Sequence, residues 1–227
     1  KGGCMIKITY WSDYVCPFCY IGEIRLLKAI EKLGIADQVE LDMRSFELYP
    51  DADKDKYYSG VEKIAATYGI TEEQANAQLE SIQQMGLAEG IDFFLKTAKY
   101  TNTFDVHRLT KLAYSKGDKR LANRMILSLF DAFFGKNEEL NNRDVLIRIA
   151  VEAGLDKSEV ESVLDGNTFS DEVRKDEADA NAFGIRGVPF FVINNKYSIS
   201  GAQQEDFFVG ALGKVLAELN KEKTEEK

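Results

Sequence analysis

The stretch DYVCPFCYIG at residues 13–22 contains Cys16 and Cys19 in a C-x-x-C arrangement. It follows MIKITYW at 5–11, whose alternation of apolar and polar residues predicts a β-strand. It runs into YIGEIRLLKAIEKLG at 20–34, whose apolar residues recur at helical spacing. A C-x-x-C pair between a strand and a helix is more typical of a redox-active pair than of half a metal site.

The four residues of this motif have different predicted roles. Cys16 is expected at an exposed helix N-cap, where unpaired N–H groups and the helix dipole favour the thiolate, the nucleophilic form. Cys19 lies one turn into the helix, faces back to Cys16 and is shielded from solvent, so it can resolve a mixed disulfide. Pro17 suits the first helical position because it has no N–H to leave unpaired. Phe18 offers a flat apolar surface to a substrate.

Two other interpretations compete with a redox role. A structural zinc site requires about four ligands, whereas the chain offers two neighbouring cysteines, the distant His107 and Cys4. Two buried, inert cysteines are the second alternative, and the proline of the motif and its strand-to-helix position argue against it. No metal is therefore expected.

The composition predicts a soluble, globular chain. Of the 227 residues, 44% are apolar and 30% are charged, and the formal net charge is −9. Such an acidic surface repels nucleic acid and anionic membranes, and no apolar run approaches the roughly 20 residues of a membrane helix. Three cysteines are too few for a disulfide scaffold. The start KGGC before Met5 is interpreted as a non-native addition that contains Cys4, no secretory signal is visible, and a cytoplasmic location is expected.

The remaining sequence places a helical block between two parts of one sheet. VELDMRSFEL at 39–48 alternates like a second strand, and a parallel β-α-β unit is the expected result. Residues 58–182 show several helical stripes and no convincing strand. Two short strands, 187–195 and 196–201, and a last helix at 203–220 follow. The ends of the chain are therefore expected to form a four-stranded sheet, on which the block packs as a lid.

Local signals predict several element ends. Thr71 and Gln74 form a capping-box pattern at a helix start. Gly34 suits the position after a helix end, and Asn194-Asn195-Lys196 suits a hairpin turn.

The segment GIRGVPFFVIN at 184–194 is the second candidate site. Pro189 comes directly before the apolar run 190–193, where a proline is tolerated because it donates no ladder hydrogen bond. On these residues alone, an ordinary trans proline and a cis proline that faces the cysteines both fit.

Four segments together resemble the DsbA family of thioredoxin-fold thiol-disulfide oxidoreductases, and within it the FrnE-like branch. That branch is related to 2-hydroxychromene-2-carboxylate isomerases and kappa-class glutathione transferases. The segments are SDYVCPFCYIG (12–22), FDVHRL (104–109), GVPFFVI (187–193) and SGAQ (200–203). The resemblance implies an α/β thioredoxin fold, β-α-β … β-β-α, with a large all-helical insertion. The implied domains are a discontinuous thioredoxin-like domain at 5–56 and 184–221 and an inserted helical domain at 57–183.

The resemblance also assigns roles around the cysteines. It implies a cis peptide bond at Pro189, which faces the C-x-x-C pair and, with Val188, positions an extended substrate. Phe18 departs from the pattern, because FrnE-like proteins usually carry Trp there and the secreted DsbA enzymes carry His. Phe18 has no charge with which to stabilise the thiolate, so a strongly oxidising character is not implied. The isomerase and transferase relatives have serine at the position of Cys16 and no resolving cysteine, so the two sulfurs favour disulfide exchange.

Three residues are auxiliary candidates. Asp13 matches an acidic position of the family motif, and it either orients the loop, helps to move a proton from Cys19 or is a plain turn residue. His107, the one histidine of the chain, is either a base for the cysteine or, given its apolar neighbours on a helix, a structural residue. Gln203 lies at the start of the last helix, where either a carboxylate of glutathione binds or the residues simply begin the helix.

The predicted activity is disulfide exchange with protein thiols and disulfides or small thiols, in a groove between the sheet and the helical lid. Trp11 and Tyr14 are expected in the groove wall. No organic cofactor is needed, with glutathione as a candidate co-substrate. The alternatives are a glutathione-dependent isomerase or transferase of small aromatic compounds and a non-catalytic, chaperone-like binder. A monomer or homodimer without nucleic-acid or membrane partners is expected.

Overall fold

The computed structural model describes residues 5–225, so the prediction about Cys4 lies outside the described residues. The strands are β1 (Ile6–Ser12), β2 (Val39–Ser45), β3 (Phe190–Ile193) and β4 (Tyr197–Ser200). Within residues 5–225 the α-helices are α1 (Pro17–Lys32), α2 (Gly60–Tyr68), α3 (Glu72–Ala88), α4 (Phe104–Ser115), α5 (Lys119–Phe130), α6 (Arg143–Ala153), α7 (Lys157–Asp165), α8 (Ser170–Ala182) and α9 (Glu205–Glu225). A 3-10 turn at Ala36–Gln38 precedes β2, and a π-helical turn at Asp131–Gly135 continues α5. None of the described helices combines the length and the apolar character that crossing a bilayer requires.

The four strands form one mixed sheet in the order β2-β1-β3-β4. β1 pairs in parallel with β2, and β3 pairs antiparallel with both β1 and β4. The alternation of β1 buries Ile6, Ile8 and Tyr10 on one face. On that face Tyr10 stacks on Phe191 of β3, and Phe191 contacts Phe208 of α9 edge to face. The sheet core therefore joins the first and last parts of the chain.

The element ends agree with the local signals. The Thr71 side chain accepts a hydrogen bond from the Gln74 N–H, and the Gln74 side chain accepts one from the Thr71 N–H, so the capping box is formed. Gly34 follows α1 with a φ of 63°, and Asn194 and Asn195 turn between β3 and β4 with φ of 50° and 53°. These positive angles are the ones that glycine and asparagine tolerate best.

β3 occupies the middle of the predicted run 187–195. It spans Phe190–Ile193, the apolar segment predicted as a strand directly after Pro189. Residues 187–189 instead form a loop beside the cysteines. Pro189 cannot donate a ladder hydrogen bond, so the strand pairing starts only after it.

Helices α2–α8 lie in sequence between β2 and β3. Among the described residues of this block, the one β pairing is an isolated bridge between Tyr58 and Tyr100. Aromatic rings join the block to the cysteine helix: Tyr20 of α1 stacks on Phe130 of α5 with a centroid distance of 5.0 Å, and Phe130 lies at 5.0 Å from Tyr14. The block thus packs directly on the cysteine end of the sheet. The division into domains at residues 57 and 183 stays a prediction.

A buried arginine fixes the position of α3. Arg25 of α1 donates from Nε to Glu89 Oε1 at 2.6 Å and from a terminal nitrogen to the Ala202 carbonyl at 2.8 Å. Glu89 follows the end of α3, and Ala202 precedes α9. One side chain thus ties together α1, α3 and the β4–α9 turn.

Candidate active site

Cys16 is the N-cap residue of α1. Its backbone is extended, and its Sγ accepts a hydrogen bond from the Cys19 N–H at 3.3 Å. The N–H groups at a helix start carry partial positive charge, and the Cys16 sulfur lies at this end of α1. The prediction of an exposed N-cap is wrong in degree, because Cys16 is 5% exposed. It lines a cleft of the protein.

Cys19 lies behind Cys16, one turn further along α1. It is 1% exposed, and the Asp13 N–H donates to its Sγ at 3.5 Å. Burial, together with the neighbouring Cys16 sulfur, raises the pKa of Cys19 well above its ordinary value. Both cysteines are free thiols. The pair is therefore asymmetric, with one sulfur at the cleft floor and the other in the protein interior.

The loop before β3 faces the outer sulfur. The Val188–Pro189 peptide bond is cis, and the Cys16 thiol donates to the Val188 carbonyl at 3.7 Å. Gly22 on α1 allows this close approach, because a Cβ atom on it would lie 3.1 Å from Pro189 Cγ and 3.3 Å from the Phe191 ring. Because Gly22 has no side chain, the loop that contains Pro189 packs directly against the helix that carries Cys19.

The cleft above Cys16 has a volume of about 540 Å³, and residues near the sheet and residues of the helical block line it. Its lining comprises the motif residues Val15 to Phe18, the segment Leu48–Tyr49, the loop Arg186 to Val188, Tyr100, and residues of α2 and α3, namely Ile64, Tyr68, Gln78, Leu79, Ser81 and Ile82. Phe18 is 37% exposed at the rim, and Pro17 is half-buried. The cleft therefore lies between the cysteine end of the sheet and the helical block.

Asp13 orients the loop that carries Cys16. Its buried carboxylate accepts hydrogen bonds from the N–H groups of Tyr14 and Leu48, each at 2.8 Å, and from the Thr103 hydroxyl, also at 2.8 Å. His107 Nε2 lies 3.0 Å from the same carboxylate. Among the described residues, His107 has no hydrogen bond to either cysteine, so the geometry favours the structural interpretation of His107. In the same part of the chain, no three His, Cys, Asp or Glu side chains cluster closely enough to hold a metal ion.

Three other predicted residues are not brought into the cleft. The Gln203 side chain is exposed and donates to the Ser200 carbonyl at 2.9 Å, away from Cys16. Trp11 and Tyr14 do not form the groove wall as expected. Trp11 lies on the opposite face of the sheet, beside α8, because successive side chains of a strand point to opposite faces. Tyr14 is fully buried against Phe130.

The sequence interpretation missed the walls that α2 and α3 contribute. Tyr68 and Ile82 belong to helices far from the cysteines in sequence, and their periodicity indicates helical faces without indicating which face meets the sheet. It also missed Glu23, a buried acid of α1 whose Oε1 accepts a hydrogen bond from the Tyr10 hydroxyl at 3.0 Å. A signal was present for Glu23, because it lies four residues after Cys19 on the buried helix face.

A comparison with protein families shows to which family the chain belongs. The model of the DSBA-like thioredoxin domain matches residues 7–213, which is nearly the whole chain. The chain belongs to this family. The α/β thioredoxin fold with its helical insertion is thereby confirmed, as is the resemblance drawn from the four sequence segments.

Three similar proteins align with almost the whole length of this chain. The probable DsbA oxidoreductase SCO1869 from Streptomyces coelicolor is 36% identical, with a TM-score of 0.87, and the match covers 94% of this chain and 91% of that one. The uncharacterized protein YwbO from Bacillus subtilis is 27% identical over 224 residues, covering 91% of this chain and 96% of YwbO. A structure of 2-hydroxychromene-2-carboxylate isomerase shares the fold at 15% identity and a TM-score of 0.68, with 97% and 99% of the two chains covered. This neighbour is consistent with the FrnE-like branch.

Proposed function

We propose that this member of a thioredoxin-fold oxidoreductase family exchanges disulfides through Cys16 and Cys19. The observation that carries the proposal is the position of Cys16: it caps α1, accepts a hydrogen bond from the Cys19 N–H and forms the floor of a cleft next to the Val188 carbonyl. A helix N-terminus activates the sulfur that a substrate can reach. The buried Cys19 is within one turn of it, where it can complete the exchange.

The reaction consists of two displacements. The Cys16 thiolate attacks one sulfur of a substrate disulfide, the substrate S–S bond breaks, and the departing thiolate takes up a proton. Cys19 then loses its proton and attacks the Cys16 sulfur, which forms the Cys16–Cys19 disulfide and releases the second substrate thiol. Two electrons pass from the cysteine pair to the substrate. The reverse sequence oxidises a dithiol substrate.

The residues around Cys16 are assigned to substrate binding. Val188 offers backbone groups next to the reacting sulfur, and Pro189 holds that segment in a loop instead of in the sheet. Phe18 and Pro17 supply apolar surface at the rim. Protein disulfides and small disulfides are the proposed partners, and no organic cofactor takes part because the electrons reside in the cysteine pair.

Matched cysteine variants test the proposal. All proteins carry Cys4→Ser, so that Cys16 and Cys19 are the only remaining thiols of the three in the sequence. Reduction of insulin by dithiothreitol is followed by turbidity, and intact mass is recorded after incubation with a disulfide substrate. Cys16→Ser should abolish the acceleration of insulin reduction. Cys19→Ser should accumulate a mixed disulfide on Cys16, because the resolving sulfur is missing.

The same proteins separate the alternatives. Conjugation or isomerisation of a small aromatic compound that requires glutathione and survives Cys19→Ser would indicate the isomerase or transferase function. Suppression of aggregation by the Cys16→Ser, Cys19→Ser double variant, without insulin reduction by the parent protein, would indicate a non-catalytic binder. Either result, together with no acceleration of insulin reduction by the parent protein, would overturn the disulfide-exchange proposal.

A further inference from the structure

The charge of the cleft differs from the charge of the protein. The whole chain has 38 acidic and 29 basic residues. Among the described residues that line the cleft, however, Arg186 is the single charged side chain, and no carboxylate of this part of the chain lines the cleft with it. The guanidinium of Arg186 is thus a positive charge, in an otherwise acidic protein, within the cleft that Cys16 lines.

Arg186 is free to bind a ligand. It is exposed, and among the described residues its guanidinium takes part in no ion pair and no hydrogen bond. Most other arginines in the described part of the chain are engaged: Arg25, Arg44, Arg108, Arg143, Arg148 and Arg174 each pair with an acidic side chain. The cleft arginine therefore differs from them in having no acidic partner.

Arg186 is also close to the reaction. It precedes Val188, whose carbonyl contacts the Cys16 thiol, by two residues. Two residues of extended chain span about 7 Å at most, which is comparable to the length of an arginine side chain. A guanidinium at this position can therefore reach a group on the same substrate residue as the sulfur bound at Cys16, or on the neighbouring residue.

A second donor lines the same cleft. Tyr100 is 2% exposed, and its hydroxyl has no hydrogen-bond partner among the described residues. Burial raises the pKa of Tyr100 well above its ordinary value, so the hydroxyl keeps its proton and remains a donor. A buried polar group without a partner costs free energy unless a bound molecule supplies an acceptor.

We propose that the cleft selects thiols and disulfides that carry a carboxylate close to the reacting sulfur, with Arg186 pairing with the carboxylate and Tyr100 donating to an oxygen of the same substrate. This inference rests on the proposed disulfide exchange and names its substrate class. A guanidinium matches a carboxylate with two parallel hydrogen bonds. The carboxylate belongs either to a small thiol or to an acidic residue next to a cysteine in a polypeptide.

Three small disulfides of different charge test the role of Arg186. Reduced Cys4→Ser protein is mixed with glutathione disulfide, which is anionic, cystamine, which is cationic, or 2-hydroxyethyl disulfide, which is neutral. The reaction is quenched with an alkylating reagent, and the second-order rate of Cys16–Cys19 oxidation is read from intact mass. In each case the protein loses two electrons and two protons, and the small disulfide becomes two thiols.

The variant Arg186→Glu should lower the ratio of the glutathione disulfide rate to the cystamine rate by about tenfold or more, since reversing a charge a few ångströms from a carboxylate turns attraction into repulsion. The neutral disulfide should change by less than about twofold. The control is Arg120→Glu, an equal change of net charge at an exposed arginine on α5, outside the cleft. An equal shift of the ratio in both variants would overturn the role of Arg186.

Two further arms complete the design. Tyr100→Phe should slow oxidation by glutathione disulfide severalfold and leave cystamine unchanged, because cystamine has no oxygen atom to accept a hydrogen bond. Equal slowing of both would overturn recognition by Tyr100. Two disulfide-linked peptides that differ by Glu or Lys beside the cysteine identify the source of the carboxylate: sensitivity of the peptide pair to Arg186→Glu indicates a polypeptide, and insensitivity indicates a small thiol.

The outcomes separate this inference from the function on which it rests. Failure of all three disulfides to oxidise the parent protein would overturn the disulfide-exchange proposal, and the substrate inference with it. Oxidation by all three, with the same charge ratio in parent, Arg186→Glu and Arg120→Glu proteins, would keep disulfide exchange and overturn the substrate inference alone.

Discussion

Glu23 makes the stability of this protein depend on pH in a calculable way. The residue lies on α1, is 2% exposed, and accepts a hydrogen bond from the Tyr10 hydroxyl through one carboxylate oxygen. The other oxygen, Oε2, has no hydrogen-bond partner among the described residues. Burial, partly offset by the Tyr10 hydrogen bond, raises the pKa of Glu23 from 4.5 to about 7. Ionisation of this acid is therefore unfavourable in the folded protein.

The sign of the effect follows from proton counting. Between pH 4.5 and about 7 the unfolded chain ionises at this residue while the folded chain keeps the proton. The folded state then binds more protons, so the free energy of unfolding falls as the pH rises through this window, and it levels off above it. Because one pKa unit corresponds to about 1.4 kcal/mol, the total loss assigned to Glu23 is about 3 kcal/mol.

The substitution Glu23→Gln removes the ionisation and keeps the acceptor for Tyr10. We expect the variant and the parent to have similar stability near pH 4.5, where both side chains are neutral. By pH 8 the variant should be more stable by up to about 3 kcal/mol. Urea unfolding, followed by circular dichroism at several pH values with both cysteines reduced, measures the difference.

Two controls isolate the contribution of Glu23. Glu31→Gln changes an exposed acid on the same helix and controls for the loss of one carboxylate from α1. Glu47, whose pKa is also raised to about 7 by burial, titrates in parent and variant alike, so it cancels in their difference. A stability difference between Glu23→Gln and the parent that is constant from pH 4.5 to pH 8 would show that Glu23 does not cause the pH dependence.

Four further substitutions test the packing around the site, each by urea unfolding at pH 7. Asp13→Asn should destabilise the protein by about 3 kcal/mol, because an amide group would replace a buried carboxylate that accepts several hydrogen bonds. An effect below about 1 kcal/mol would contradict this prediction. Tyr14→Phe should cost about 1 kcal/mol through its lost hydrogen bond, while Tyr100→Phe should leave stability unchanged or raise it, because its buried hydroxyl has no partner among the described residues; the opposite order would be inconsistent with the structure. Gly86→Ala should cost about 1–3 kcal/mol, because its Cβ would lie 2.3 Å from the Phe93 ring, whereas a neutral result would show that this ring moves freely.

The sheet and the cysteine helix could be predicted because their signals are local. The alternation of Ile6, Ile8 and Tyr10 fixes which face of β1 is buried, and a strand has only two faces. The capping pair Thr71 and Gln74 involves residues three apart, so no tertiary information is needed. Such features are encoded within a few residues and survive in the folded chain.

The depth of Cys16 could not be predicted in the same way. A helix N-cap is exposed on an isolated βαβ unit, and the sequence around Cys16 contains nothing that covers it. The cleft in which Cys16 lies is lined by Tyr68 and Ile82 on helices of the inserted block and by Tyr49 after β2. Which helix faces meet the sheet depends on packing between segments that are tens of residues apart, and periodicity does not specify it.

The inserted block is therefore part of the candidate active site and not a separate attachment to it. Asp13 shows how the two parts are joined: its carboxylate binds the Leu48 N–H from the segment after β2 and the Thr103 hydroxyl and His107 ring from the start of α4. Its own N–H contacts the Cys19 sulfur. A displacement of α4 would thus move the loop that leads from β1 to Cys16 and α1. It follows that the sheet part of the chain, expressed without the block, would retain the C-x-x-C sequence but lose both the wall of the cleft and the anchor of the cysteine loop.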